Sequence, residues 1–536
     1  FKVEQVPVEK EPGDAPKFAV CEDKQGNLWV HPVGGGLSWF DRENNELKPF
    51  YNEVGTDAWR FSNKLHAMML DHQGNLWLGT HSKGLDKVTF FKNEFQLIKP
   101  QNCKYDTNAN QVRSLCQDSR KQLWIGTRNS KVSVYSLDFQ LQGYLTVDGR
   151  ISLTGTPFRG SAYKIIEDSK KNIWIATKGN GIVQLIPQGS GYKMLHYTYD
   201  ANDIYSLSHN NVYDLCEDSY GRIWVVTFGG GIDYIEKESD GSVRFINSRN
   251  NLKSYPMERC YKARRMLLDK KGMLWVATSN GLLAFSEKFE RPDTIDFHLF
   301  VCMPNKREVL SCNDIYDILL THDGRLFFAT FGGGLNELKS LDKNGNGLFT
   351  SYSAKDGLPT DVLSSLAEDT KGDIWIGSES GLSKMDIVNH HFDNYLKQEI
   401  GEELSFEEST AIRAEDGRLL FGTNRGLLCF TPELIRKNSY VPGIVLSGLK
   451  IANKDVVPRP ESVLPESLNS LSHLYLSHKE NTVTLSFAAL DMSFPENVKY
   501  AYMLDGFDKE WNYVGKQRTA TYTNLPKGNY VFRVKS

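Results

Sequence analysis

The stretch Gly221–Ile235 reads GRIWVVTFGGGIDYI: a turn glycine, an apolar run that holds a tryptophan, and a cluster of glycines. Close copies of this pattern are GRLFFATFGGGLNEL from Gly324, GDIWIGSESGLSKM from Gly372 and GNLWLGTHSKGLDKV from Gly74. Self-similarity at a fixed period is the sequence signature of a repeat architecture. We therefore derive the fold from the repeat.

Nine copies of the repeat align on one residue, which we call the anchor, and successive anchors lie 45 to 52 residues apart. The anchors are Trp29, Trp77, Trp124, Trp174, Trp224, Trp275, Phe327, Trp375 and Leu420. A Gly usually stands three residues before the anchor, and an Asp usually stands six residues before it. The Asp residues are Asp23, Asp71, Asp118, Asp168, Asp218, Asp269 and Asp369.

Each part of the repeat predicts a strand or a turn. Residues 212–218 form a short apolar strand, and the Asp and Gly that follow favour a tight hairpin turn. The second strand holds the Trp, the glycines make a second turn, and two further strands follow. Four strands in about 50 residues are typical of a β-propeller blade. The alternatives are a β-helix, whose coils are usually much shorter, and an array of small domains, which could not each bury the Trp face.

Nine blades exceed the four to eight with which propellers typically close. We therefore predict that residues 1–105 hold the last blades of a first propeller and that 106–440 form a complete seven-bladed second propeller. A single nine-bladed ring is the alternative. Residues 441–536 show alternating strands with turn signals between them, which predicts a small immunoglobulin-like β-sandwich. The chain stops at or just after its last predicted strand, so the sandwich can lack a final strand.

The C-terminal segments YAYMLDGFDKEW and TYTNLPKGNYVFRV resemble the Y_Y_Y domain, with Tyr500, Tyr502, Trp511, Tyr522 and Tyr530 on its pattern. The repeats resemble the two-component regulator propeller, whose phrase is close to D-x-x-G-x-L-W-I-G-T-x-x-G-G-L. Together they resemble the periplasmic sensor region of a Bacteroides-type hybrid two-component system. In that family two seven-bladed propellers precede the sandwich, which leads into a membrane helix, a histidine kinase and a DNA-binding regulator.

This resemblance implies a periplasmic part of an inner-membrane protein that binds a glycan-derived oligosaccharide, works as a homodimer and signals across the membrane. It implies membrane contact only through a helix outside this segment. The 536 residues carry a net charge of −3, so we expect no nucleic-acid partner. The opening FKVEQVPVEK lacks the apolar core of a signal peptide, and we expect the chain to be a segment of a longer protein.

The sequence lacks the common catalytic and nucleotide-binding motifs. We find no G-x-S-x-G, H-E-x-x-H or G-x-x-x-x-G-K-[ST], and turn formation explains the Asp residues of the repeat. We therefore expect no catalytic residue, no metal site and no cofactor in this segment. Two other functions stay open: a polysaccharide-degrading propeller enzyme, a lyase or hydrolase with a carboxylate pair, and a protein-binding scaffold.

When the copies are aligned on the anchor, each position of the repeat gives a column of residues. Two of these columns vary from copy to copy and therefore predict the ligand site. One column stands eleven residues before the anchor, at the start of the innermost strand, and the other stands four residues after it. These two ends of an antiparallel hairpin lie close together, so both columns should meet at one mouth of the central channel. Aromatic faces and arginines there would suit an oligosaccharide, including an acidic one. The candidates are Arg113, Arg128, Tyr163, Lys178, Tyr213, Phe228, Arg264, Tyr316 and Phe331. The resemblance also implies a ligand that bridges two propellers, and such a site would involve His66 and His81 of the same columns.

Overall fold

The computed structural model describes residues 18–536 apart from short gaps, and all structural statements below concern these described residues. The gaps are 24–25, 33–35, 43, 51–64, 82–83, 90–93, 101–106, 129–130, 239–241, 304, 343–344, 436–440, 494 and 496–497. The described residues form two compact units: one joins 1–92 with 437–536, and the other is 93–436. Helices are few and short: α1 (Met257–Cys260), α2 (Lys397–Ile400) and 3-10 turns at Thr107–Asn110, Pro292–Thr294, Ala354–Asp356 and Pro432–Leu434.

In the first unit, the first two repeats each form an antiparallel sheet with its strands in chain order. The first sheet is β1 (Phe18–Glu22), β2 (Leu28–Pro32), β3 (Leu37–Asp41) and β4 (Glu46–Phe50). The second is β5 (Leu65–Leu70), β6 (Leu76–Thr80) and β7 (Leu85–Val88). Buried Trp29 and Leu37 of the first sheet pack with Leu65, Leu76 and Leu78 of the second, as expected for neighbouring blades.

The second unit contains β8 (Gln96–Ile98) and seven antiparallel sheets, which we call blades 1 to 7. Blade 1 is β9 (Val112–Gln117), β10 (Leu123–Thr127), β11 (Val132–Tyr135), β12 (Leu141–Leu145) and β13 (Ile151–Ser152). Blade 2 is β14 (Ala162–Glu167), β15 (Ile173–Thr177), β16 (Ile182–Gln188) and β17 (Gly191–Tyr197). Blade 3 is β18 (Val212–Glu217), β19 (Ile223–Thr227), β20 (Gly231–Lys237) and β21 (Val243–Ile246).

The remaining blades repeat this order of strands. Blade 4 is β22 (Ala263–Leu268), β23 (Met273–Thr278), β24 (Gly281–Ser286) and β25 (His298–Phe300). Blade 5 is β26 (Ile315–Leu320), β27 (Leu326–Thr330), β28 (Leu335–Leu341) and β29 (Gly347–Tyr352). Blade 6 is β30 (Leu363–Glu368), β31 (Ile374–Ser378), β32 (Leu382–Met385) and β33 (Phe392–Tyr395). Blade 7 is β34 (Phe406–Arg413), β35 (Leu419–Thr423) and β36 (Gly426–Phe430), with β8 as its fourth strand.

The seven blades close into a ring, because each inner strand contacts the inner strand of the next blade and β34 contacts β9. The outer strand of blade 7 is supplied by β8, whose Leu97 pairs with Leu428. The predicted all-β fold with a seven-bladed propeller is therefore confirmed, and a nine-bladed ring is excluded. The strand Gln96–Ile98, expected within the first propeller, belongs to this ring instead, because only it completes the last blade. The expected boundaries at 105/106 and 440/441 fall outside the described residues.

Each Asp of the repeat is bound to its own anchor. The indole Nε1–H of all seven Trp anchors donates to the carboxylate six residues earlier at 2.8 or 2.9 Å. In blade 3 the other oxygen of Asp218 accepts the backbone N–H groups of Tyr220 and Arg222, which closes the turn at Gly221. Gly221 has a positive φ of 74°, which a glycine adopts at little cost.

A row of buried and half-buried charges ties the inner strands of neighbouring blades together. Asp214 of blade 3 lies 3.5 Å from Lys164 and 3.2 Å from Arg265, and Arg265 lies 3.2 Å from Asp317. Asp317 in turn accepts the backbone N–H of Leu366 at 2.9 Å. The row therefore runs from blade 2 to blade 6. Burial alone would lower the pKa of Lys164 and raise that of Asp317, so each charge depends on its partners.

The C-terminal part of the first unit is the predicted β-sandwich of two sheets. One sheet holds β37 (Ile444–Ile451), β38 (Lys454–Asp455), β39 (Val483–Ala489) and β42 (Thr519–Tyr522). The other holds β40 (Tyr500–Asp505), β41 (Asn512–Gly515) and β43 (Val531–Lys535). Buried Phe487, Tyr500, Leu504, Ala520 and Tyr522 from the two sheets form its core.

Within this unit a dense set of hydrogen bonds, which we call the Gln73 clasp, joins the turn of the second sheet to the sandwich. The Gln73 amide donates to the Leu490 carbonyl at 2.7 Å and accepts the backbone N–H groups of Met492 and Ser493 at 2.8 and 2.9 Å. Lys87 donates to the Ser493 carbonyl at 3.0 Å. A single side chain therefore satisfies three backbone groups of the segment that follows β39.

Candidate functional site at the mouth of the ring

Six of the seven inner strands carry a β-bulge at the same place. Their register against the second strand skips one residue, which leaves that residue without a ladder partner. A bulge re-aims a side chain and is frequent beside functional sites. The skipped residues are Arg113, Tyr163, Tyr213, Arg264, Tyr316 and Ser364, which form the first variable column of the repeat.

The second column lies beside these bulges. Arg128, Lys178, Phe228 and Phe331 each donate a backbone N–H to the residue just before their own inner strand, at 2.8 to 3.0 Å. Lys178, Phe228 and Phe331 also form isolated β-bridges with the residue that precedes the inner strand of the following blade. The two columns therefore meet at the end of the ring where the inner strands begin. We call this end the mouth.

Eight of the nine candidate residues lie in one continuous run of ring and cation contacts. Lys178 and Arg113 lie 5.6 and 4.8 Å from the ring of Tyr163, which packs at 4.8 Å against Tyr213. Tyr213 stacks on Phe228 at 4.9 Å.

The run continues from Phe228 on the other side. The guanidinium of Arg264 lies 5.2 Å from Phe228 and 4.5 Å from Tyr316, and Tyr316 stacks on Phe331 at 5.3 Å. The ninth candidate, Arg128, donates to Gln111, which donates to Glu407. The structure thus brings all nine candidates together at the mouth.

Blade 7 departs from the pattern and supplies two residues that the repeat did not predict. Its inner strand shifts register between Phe406 and Ala411, so four residues loop out where other blades have one. Glu407 forms an ion pair with Arg113 at 2.6 Å, and Glu408 lies 3.4 Å from Arg264 of blade 4. Ser409, which the regular spacing placed in the first column, donates instead to the Tyr316 carbonyl at 2.6 Å. The looped-out segment therefore reaches across the channel to blades 4 and 5.

This segment changes the electrostatics of the mouth. Arg113 faces Glu407, and Arg264 faces both Glu408 and Asp314, the latter at 3.0 Å. Burial raises the pKa of Glu407, and the charge of Arg113 opposes that rise. Both arginines are therefore neutralised, whereas among the described residues Arg128, Lys178 and Lys262 make no ion pair with a carboxylate.

Tyrosine hydroxyls and open aromatic faces complete the mouth. Burial raises the pKa of Tyr213 and that of Tyr316 to about 12, so both hydroxyls remain hydrogen-bond donors near neutral pH. Phe331 is 45% exposed although it stacks on Tyr316, so one face of its ring is open. The aromatic rings of the mouth can stack on sugar rings. The ion pairs at its base, which we call the floor of the mouth, can form hydrogen bonds with sugar hydroxyls.

The histidines of the same columns in the first unit also meet. Nε2 of His66 lies 2.7 Å from Nδ1 of His81, and both side chains are exposed. Within the described part of the chain, no group of three or more His, Cys, Asp or Glu side chains is placed to hold a metal ion. In the same residues, no helix has the length and apolar character needed to cross a membrane.

Comparison with protein families identifies the class. Residues 61–82, 107–129, 206–229 and 357–380 match the two component regulator propeller, and residues 491–536 match the Y_Y_Y domain. The chain carries two-component regulator propeller repeats followed by a Y_Y_Y domain, and the resemblance stated from the sequence is confirmed for both parts.

The chain is similar to individual proteins along most of its length. The chain is similar to Histidine kinase P4 of Formosa agariphila, with 20% identity over 94% of this chain and 32% of that protein. It is also similar to the extracellular domain of BT3049 from B. thetaiotaomicron, described as a hybrid two component system. That match has 22% identity and a TM-score of 0.67, and it covers 96% of this chain and 65% of the other. The chain therefore spans about a third of the curated relative and shares its fold with the solved extracellular domain.

Proposed function

We propose that this chain is the periplasmic ligand-sensing part of a hybrid two-component system and that it binds a glycan-derived oligosaccharide without chemistry. The observation that carries the proposal is the mouth, where bulged side chains of five blades and their neighbours make one contact network with an open aromatic face. Aromatic rings stack on sugar rings, and paired charges bond hydroxyl groups without requiring a charged ligand. The family of the repeats supports a sensing role.

The pairing of the arginines refines the expected ligand. A free guanidinium favours a carboxylate, but Arg113 and Arg264 already face Glu407, Glu408 and Asp314. An acidic glycan would have to displace a buried ion pair or bind at the outer cations, such as Lys178. A neutral oligosaccharide is therefore the better fit for the floor of the mouth.

The proposal is tested by a thermal-shift screen of neutral and acidic plant and host oligosaccharides, followed by calorimetry and product analysis. Ligand at a hundred times its dissociation constant should add about 2.7 kcal/mol of stability. Phe331→Ala should weaken binding about tenfold through loss of the open ring face. The control is Tyr220→Ala, which removes another exposed aromatic ring at the opposite end of the strands.

Three results would contradict the proposal. An equal loss of affinity in Phe331→Ala and Tyr220→Ala would show that the ligand does not bind at the mouth. Glycan turnover by the purified protein would favour the polysaccharide-degrading enzyme instead. Binding to a protein partner, with no response to any glycan, would favour the scaffold.

A ligand can transmit a signal through the protein only if it binds two conformations of the protein with different affinities. We propose a homodimer in which the ligand shifts the relative position of two sandwich domains. Analytical ultracentrifugation with and without a ligand from the screen tests this, and a monomer under both conditions would contradict it.

A further inference from the structure

We propose that a cleft beside the mouth is a second sugar subsite, so that the ligand is an extended oligosaccharide rather than a single sugar or a disaccharide. This inference rests on the proposed function. The cleft lies in the second unit, between the loop that follows β17 and the loops that follow β19 and β21. The residues that line it include Tyr199, His209, Asn210, Gly229, Gly230 and Arg249.

Chain connectivity places the cleft directly beside the mouth. One wall ends at Asn210, and the bulged residue Tyr213 follows three positions later. The other wall begins at Gly229, immediately after Phe228, and Phe228 stacks on Tyr213. A ligand that lies on Tyr213 and Phe228 therefore has the cleft as its next neighbour in the outward direction.

Tyr199 offers a stacking platform in this cleft. The residue is 42% exposed, and the guanidinium of Arg249 lies 4.9 Å from the ring centroid. Arg249 is held in turn by the carbonyls of Asp200 and Asp203, each at 3.1 Å. The backbone N–H of Tyr199 donates to the Asn210 side chain at 2.8 Å, which fixes the residue to the opposite wall. One ring face is thus supported by a fixed cation, and the exposed part of the ring is free to pack on a sugar.

His209 supplies a directed hydrogen-bond donor. Its Nδ1 accepts the backbone N–H of Asn211 at 3.0 Å, so a neutral ring carries its proton on Nε2. Nε2 faces Gly229, where an added Cβ would come within 2.8 Å of it. An added Cβ at Gly230 would come within 2.3 Å of the Ser208 hydroxyl. The imidazole and the Ser208 hydroxyl therefore occupy the space that side chains at these two positions would need, and the wall presents only backbone at Gly229 and Gly230.

These groups define the ligand chemistry of the cleft. A ring face, an imidazole N–H and an amide are suited to the C–H face and the hydroxyls of a sugar. Arg249, the charged side chain in this lining, is bonded to backbone carbonyls and to the hydroxyl of Ser206, the latter at 3.3 Å. The cleft therefore suits a neutral sugar unit joined to the one in the mouth.

The test is the dependence of affinity on chain length. Calorimetry would compare xylo-oligosaccharides and oligogalacturonides of two to six units on the wild-type protein and on Tyr199→Ala. In a series that binds, we expect the affinity to rise with the length of the oligosaccharide. Tyr199→Ala should weaken binding of the six-unit oligosaccharide about tenfold and leave the affinity for the disaccharide unchanged. Phe331→Ala should weaken every length.

The matched control is Tyr220→Ala, because Tyr220 is also exposed and also packs on an arginine, Arg222, at 4.8 Å. It lies at the opposite end of β18 and β19 and should change no affinity. Affinity that does not depend on length, or an equal loss at all lengths in Tyr199→Ala, would overturn the second subsite while leaving the mouth intact. Absence of binding in both series, together with no response to any glycan of the thermal-shift screen, would overturn the subsite together with the proposed function.

Discussion

The Asp and Trp of the repeat act as one unit, since the carboxylate closes the turn and also binds the indole of the next strand. The two repeats that lack the Trp support this view. Phe327 and Leu420 have no indole N–H, and Thr321 and Ala414 stand where the other repeats have Asp. The sequence predicts the turn from Asp and Gly. The hydrogen bond from the indole to the carboxylate was not predicted from the sequence. The absence of both Asp and Trp from the same two copies was the sequence signal for that bond.

Asp233 is a buried carboxylate outside the Asp column of the repeat, and it makes the stability of the ring depend on pH. It accepts hydrogen bonds from Ser208 and Asn247 at 2.6 Å, but burial outweighs them and raises its pKa from 3.8 to about 7. The charge of Arg249 opposes this rise, and burial together with the charge of Asp233 raises the pKa of the neighbouring Tyr255. In the unfolded chain the carboxyl loses its proton near pH 4, whereas in the folded ring it keeps the proton to about pH 7.

Between these two pH values the folded state binds more protons, so the free energy of unfolding should fall as the pH rises from about 4 to about 7. The contribution of Asp233 is of the order of 4 kcal/mol over the whole range. Asp233→Asn cannot titrate, so its stability should fall less over the same range. Urea unfolding of both proteins at several pH values measures this. Parallel pH profiles would show that the carboxylate is charged throughout.

At the scale of elements, the mouth shows what periodicity can and cannot predict. The spacing to the anchor located Tyr163, Tyr213 and Tyr316 in one column because every copy preserves the length of the first hairpin. The spacing could not reveal that these residues are bulged, since a bulge changes the register without changing the count. It misplaced Ser409, because blade 7 loops out four residues. The consecutive acidic residues Glu407 and Glu408 in an inner strand were the signal of that irregularity.

The Gln73 clasp joins two elements that are far apart in sequence, and no periodic pattern predicts it. Gln73→Ala removes the acceptor of the Met492 N–H, one of the two acceptors of the Ser493 N–H and a donor to the Leu490 carbonyl, which should cost about 0.5 to 1.5 kcal/mol. Hydrogen exchange should become faster at the amides of Met492 and Ser493.

Lys170→Ala is the control for the clasp, because Lys170 occupies the same turn position in blade 2 and is exposed. It should change neither stability nor exchange. Unaltered exchange at Met492 and Ser493 in Gln73→Ala would mean that the clasp does not hold that segment.

At the scale of the whole ring, stability depends on residues from both ends of the unit. Phe95 precedes β8 and is 7% exposed, with its ring 5.6 Å from Tyr395 and 5.0 Å from Phe430. Phe95→Ala should therefore lower the free energy of unfolding of the ring by about 3 to 5 kcal/mol, as for other buried phenylalanines. Chemical denaturation measures this loss.

Phe331→Ala, at an exposed position of the same ring, serves as the control and should cost much less. A loss below about 1 kcal/mol in Phe95→Ala would show that β8 contributes little to closure.

The closure of the ring by β8 also sets an order of events during synthesis. Gln96–Ile98 leaves the ribosome more than three hundred residues before Gly426–Phe430, the strand with which it pairs. Until that strand emerges, the nascent chain holds an unpaired edge at β8 and an uncovered face on blade 1. Unpaired edges invite pairing with other chains. We therefore expect that a chaperone would act on this protein most usefully in the interval before blade 7 is complete.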